Sequence, residues 1–77
     1  MIKTLDTFAI GESGKVYFVK GEGKVRRRLL DMGICKGAEI YLRKKAPLGD
    51  PIEVTVRSYE LTLRKSEAVL VEMETQK

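Results

Sequence analysis

The groups in this sequence that are able to do chemistry are few and bunched together. Lys24, Arg26, Arg27 and Arg28 stand within one short stretch, and Cys35, the sole cysteine, follows soon after. Guanidinium groups in a row can clamp a phosphate or carboxylate, or place positive charge on a phosphoryl group in transfer. Histidine is absent, which removes the usual general base and the usual metal ligand. One cysteine forms no internal disulfide and no zinc constellation. No pair of carboxylates has a spacing with a mechanism attached. The residue types therefore point away from catalysis, a cofactor and a metal site, and toward binding.

Two features nearby invite sharper readings that their surroundings weaken. Gly21-Glu22-Gly23-Lys24 has the flavour of a phosphate loop. However, the glycine required five residues before the Gly-Lys pair is Phe18, and the hydroxyl residue required after it is Val25. The segment reads as a strand-to-helix turn. Cys35 precedes the basic Lys36 but follows the expected end of a helix, whose negative dipole end does not favour a nearby anion. It reads as a small packing residue at a turn, rather than as a thiolate ligand or redox sensor.

A helix must position the arginines. Val25, Leu29 and Met32 recur at spacings of four and three, and Leu30 and Ile34 widen the stripe. Gly33 stands where this pattern stops, as the left-handed residue of a C-terminal cap, with Ile34 placed to fold back on Leu29. Arg27 and Arg28 are in reach of Asp31, a kind of pair worth only about 0.2–0.5 kcal/mol.

The rest of the chain reads as strand and turn. Residues 5–10 form a weakly apolar edge segment, and residues 15–20 a strand with Val16 and Phe18 on one face and Tyr17 and Val19 on the other. Residues 38–43 alternate with Ile40 and Leu42 inward, and residues 52–57 with Ile52, Val54 and Val56 inward. Between them, Ala46-Pro47-Leu48-Gly49-Asp50-Pro51 is a specified connection with Leu48 at its tip. Ser58-Tyr59 is expected to turn the chain back through residues 60–63, with Leu61 and Leu63 inward. Residues 64–68 suit one turn of helix and residues 69–73 a last strand.

Five short strands and one short α-helix, with no second helical layer, predict a mainly β fold, a small, partly open barrel of the SH3-like or OB-like kind. The expected core is Val16, Phe18, Leu29, Ile34, Ile40, Leu42, Ile52, Val54, Val56, Leu61, Leu63, Ala68 and Val71. A chain of 77 residues, 43% apolar and 34% charged, suits a single domain spanning 1–77. The first seven residues lack the apolar core of a signal peptide, and no run approaches the roughly 18 apolar residues of a membrane span. A cytoplasmic location is expected.

Four blocks, Arg28-Leu29-Leu30-Asp31-Met32-Gly33-Ile34, Gly37, residues 46–52 and residues 61–68, occur in the order and spacing that resemble the FeoA family. The resemblance covers about residues 5–73. It implies an SH3-like barrel and an accessory role in bacterial ferrous iron uptake through FeoB, a membrane permease with a GTPase domain. It implies no catalysis. Two positions depart from the pattern: Lys36 replaces a common proline before Gly37, and Ser58 replaces a common glycine in the hairpin turn. The matching residues are mostly architectural, so binding has to come from what projects outward.

The candidate partner contacts are Arg26, Arg27, Arg28 and Leu30 on the helix, with Leu48 and Tyr59 at turn tips, since apolar groups beside arginine resemble interface composition. Leu30 reads equally well as core. The same arginines include candidates for an arginine finger toward the partner's GTPase domain. The net charge of +4 also fits a nucleic-acid-binding barrel, with residues 24–28 and 43–45 on phosphates and Tyr17 or Tyr41 stacking on bases. Against that reading, the charge is modest, aromatics are few and no RNA-motif spacing occurs.

Overall fold

The computed structural model describes residues 1–76. Its strands are β1 (Ile2–Thr4), β2 (Ser13–Val19), β3 (Glu39–Lys45), β4 (Ile52–Val56), β5 (Tyr59–Leu63) and β6 (Val71–Glu74). Helix α1 (Gly23–Asp31) joins β2 to β3, α2 (Lys65–Ala68) joins β5 to β6, and a 3₁₀ turn (Leu5–Thr7) follows β1. All pairings are antiparallel, in the order β1-β6-β2-β3-β4-β5. The sheet does not close on itself. β1 and β5 are its edges, and the 3₁₀ turn after β1 packs against α2, which follows β5.

The expected barrel is thus present, with six strands in place of five. The missed strand, β1, has only three residues, too few to show an alternating pattern. It leads into the 3₁₀ turn, which delivers Leu5 and then Phe8 into the centre of the core, both fully buried. Residues 5–10 are therefore not merely an edge segment.

β4 keeps strict alternation, and Ile52, Val54 and Val56 are all buried. β2 does not. Val16 lies opposite Met73 and Phe18 opposite Glu72, so two residues of β2 face one of β6 in a bulge. The inward phase resets there, burying Val16 and Val19 and turning Tyr17 and Phe18 out together. Phe18, expected in the core, is 51% exposed, and Val19 takes its place. Leu61, also expected in the core, is half-buried and packs on its margin. Ala38 and Met73 complete the buried set.

The β4–β5 turn falls one residue earlier than its sequence suggested. Val56 pairs with Tyr59 across Arg57 and Ser58, whose φ values of 50° and 76° are both left-handed. This is the mirror-image turn that matches strand twist, a form that glycine and asparagine favour. Ser58 is therefore a departure at a position where glycine is easiest.

Helix α1 ends as its sequence dictates. Gly33 takes φ 91°, its N–H donates to the Leu30 carbonyl at 3.0 Å, and the Ile34 N–H donates to the Leu29 carbonyl at 3.1 Å. Those two bonds make a Schellman cap, closed by the burial of Leu29 and Ile34 together. Leu29 is the helix's one buried residue, worth about 1.5–3 kcal/mol of burial. Val25, on the same stripe but a turn earlier, is 45% exposed.

Candidate functional site

Successive residues on an α-helix are rotated by about 100°, so three consecutive arginines cannot share a direction. With Leu29 pointed into the barrel, Arg26 and Arg28 fall on opposite flanks of α1 and Arg27 stands outward between them. The Arg26 Nε donates to the Val19 carbonyl at 3.3 Å, tying the helix to the end of β2. The Arg28 Nη1 lies 2.5 Å from Glu67 Oε2, tying the helix to α2. Arg27 has no hydrogen-bond or ion-pair partner among the described residues. Asp31, expected to hold Arg27 or Arg28, forms no ion pair with either.

Glu67 is where the Arg28 flank is anchored. The residue is 7% exposed, and its second oxygen accepts the Arg64 N–H at 3.0 Å. One carboxylate thus satisfies a free donor at the start of α2 and neutralises a guanidinium from α1. Asp50 accepts the next donor, the Lys65 N–H, at 2.9 Å. Arg28, Asp50, Pro51, Thr62, Arg64 and Glu67 line a groove of about 430 Å³ where α1, the 46–51 loop and β5 meet.

On the outward side, Gly23, Lys24, Arg26, Arg27, Leu30 and Asp31 line a shallow groove of about 560 Å³. Leu30 is half-buried and packs against the core margin, with the rest of its side chain open to this groove. The larger cleft, about 960 Å³, lies elsewhere, among Lys3, Glu12, Lys15, Glu39 and Glu74. Its charges have mixed sign, and Lys3 pairs with Glu12 at 2.6 Å.

Leu48 is 93% exposed on a loop held at both ends. The Ala46 N–H donates to the Pro51 carbonyl at 3.0 Å and the Gly49 N–H to the Ala46 carbonyl at 2.7 Å. Tyr59 is not at a turn tip. It opens β5, and its hydroxyl donates to the Met32 carbonyl at 3.2 Å, over the α1 cap. Cys35 is half-buried beside the same cap, where the Arg57 Nη2 donates to its sulfur at 3.5 Å. That approach joins residues 22 apart and had no local signal. No group of three or more His, Cys, Asp or Glu able to hold a metal occurs among the described residues.

The positive stretch 43–45 is in part neutralised. Arg43 lies 3.4 Å from Glu53 and 3.2 Å from Glu60. Tyr17 and Tyr41 are both exposed, and of the cations expected to meet phosphates, Arg28 and Arg43 are already engaged by carboxylates. No described helix is long and apolar enough to cross a membrane.

Residues 3–75 match the FeoA domain family. The chain belongs to that family. It is 34% identical over 64 residues to a fusion of Fe(2+) transport protein A with the Fe(2+) transporter FeoB from Porphyromonas gingivalis, covering 83% of this chain but only 8% of that protein. Among solved structures it resembles an FeoA-like protein from Clostridium acetobutylicum, with 46% identity and a TM-score of 0.88 over 96% of this chain and 86% of that one. It also resembles FeoA of Stenotrophomonas maltophilia, a prokaryotic SH3 domain protein solved with zinc. There the identity is 29% and the TM-score 0.79, over 97% of this chain and 99% of that one. The expected SH3-like class is therefore the observed one, and the family is associated with ferrous iron transport.

Proposed function

We propose that this chain is a non-enzymatic accessory module of ferrous iron uptake that docks on the cytosolic part of an FeoB-type permease through the outward side of α1. The observation that carries the surface is the division among the arginines. Arg26 and Arg28 are committed within the fold, whereas Arg27 projects without a partner among the described residues, next to Lys24 and Leu30. An unpaired guanidinium beside a half-buried leucine keeps its full capacity for a carboxylate and an apolar contact on another protein. Leu48, displayed on a pinned loop, supplies a second apolar contact at little cost in ordering. Supporting the choice of partner, the Porphyromonas gingivalis relative carries a matching segment and an FeoB transporter in one chain.

The test is binding of this chain to the soluble GTPase domain of an FeoB-type permease, with and without guanine nucleotide, alongside ferrous iron uptake in cells. Arg27→Glu combined with Leu30→Ser is expected to abolish both. Unchanged uptake in a variant that folds normally rejects this surface.

A further inference from the structure

The strand at one end of the sheet has an edge to which no other described strand is bonded. Among the described residues β5 pairs with β4 alone. Because the Arg57-Ser58 turn has two residues, both at positive φ, its closing pair Val56–Tyr59 exchanges backbone hydrogen bonds. Alternation then makes Thr55–Glu60 and Glu53–Thr62 the pairs without mutual bonds. The N–H and C=O groups of Glu60 and Thr62 therefore point away from β4, out of the sheet. Among the described residues none bonds to them.

Such an edge is a template for another strand, and proteins blunt it with proline, inward charge or a covering element. Among the described residues β5 has no proline and no inward-pointing charge, and no backbone hydrogen bond covers its outer edge. Glu60 is drawn sideways across the sheet by Arg43 at 3.2 Å, and Thr62 opens onto the groove shared with Arg28 and Arg64. Charge decides what kind of strand fits. β5 is bracketed by Arg57 on one side and Arg64-Lys65 on the other, and Arg64 has no carboxylate partner among the described residues. A second copy laid antiparallel about Leu61 would set Arg57 of one chain against Lys65 of the other, like charge on like. A strand with acidic residues near both ends would meet cations at both.

We propose that the β5 edge takes up an extended, acidic-ended segment of a protein partner as an added antiparallel strand, using the outward backbone groups of Glu60 and Thr62. The identity of that partner rests on the docking reading above, in which it is the cytosolic part of the permease. The segment would extend the interface from α1 across the groove to the sheet.

Amide hydrogen exchange, followed by NMR on the whole chain with and without the soluble cytosolic domain of an FeoB-type permease, tests this. The Glu60 and Thr62 amides exchange freely in the chain alone and become protected on binding. Thr62→Pro deletes an N–H that the β4–β5 ladder does not use and weakens binding by about tenfold or more, whereas Thr62→Val, which keeps the N–H, binds as wild type. Binding without protection at Glu60 and Thr62 overturns the edge and leaves the docking reading standing. No binding at all overturns both. Protection that grows with concentration in the absence of the domain identifies a second copy as the occupant and also overturns it. Should Thr62→Pro not fold, protection in the wild-type chain alone decides.

Discussion

Replacing each arginine of α1 in turn by methionine, which keeps the aliphatic stem and removes the charge, separates anchoring from docking. Arg28→Met strips the counter-ion from Glu67, a carboxylate only 7% exposed. Breaking a fully buried pair costs about 3–5 kcal/mol, while an exposed pair is worth about 0.2–1 kcal/mol. The Arg28 side chain is 59% exposed, and Glu67 keeps the Arg64 N–H, so the expected loss is about 1–2 kcal/mol. For a domain of this length that lowers Tm by roughly 5–15 °C. Arg26→Met loses one long hydrogen bond to a carbonyl and should cost about 0.5–1 kcal/mol. Arg27→Met removes no hydrogen bond or ion pair among the described residues and should stay within about 0.5 kcal/mol of wild type. Thermal and urea unfolding followed by circular dichroism measure all three, and titration with the permease's soluble domain supplies the second axis, on which Arg27→Met is the most damaging. Equal destabilisation by Arg27→Met and Arg28→Met would refute the assignment of directions around the helix. Full binding by a folded Arg27→Met would refute the docking face.

Two further outcomes follow from the turns and the charges. Ser58→Gly relieves a left-handed position at φ 76° and should raise stability by about 0.5–1 kcal/mol in urea unfolding. The side-chain bond from Lys3, at 2.6 Å, and then the Ala9 N–H hold the Glu12 carboxyl below its ordinary value of 4.5. The folded chain therefore holds this proton less tightly than the unfolded chain. The contribution of Glu12 is whole above the ordinary value and is lost as pH falls below 4.5 through the folded pKa. Glu12→Gln should be less stable than wild type at pH 7, with a gap that closes on acidification, as read from Tm against pH.

What could be read from the chain was local. Leu29, Gly33 and Ile34 announce a helix and its cap because every partner lies within one turn, and Ile52, Val54 and Val56 announce a strand because the alternation is unbroken. The β2 bulge was hidden because Tyr17 and Phe18 suit either face, so nothing in their types marks where the phase resets. The hairpin was misplaced by one residue because Arg57 and Ser58 lack the Asn-Gly signature of their turn. At the candidate site, the cluster of arginines was visible but their roles were not. Choosing among them needs Glu67, 39 residues from Arg28, and only tertiary structure brings that carboxylate to the helix.

The bulge in β2 also bears on how this barrel tolerates changes in length. Deleting one residue from an ordinary strand turns everything beyond it to the wrong side, so natural insertions and deletions collect in loops. At Tyr17–Phe18 the parity runs the other way. A chain one residue shorter there regains simple alternation and still sends Val16 and Val19 inward. The middle of β2 is therefore a place where the chain can lose a residue with its core in register, leaving one aromatic ring in place of two on the outer wall.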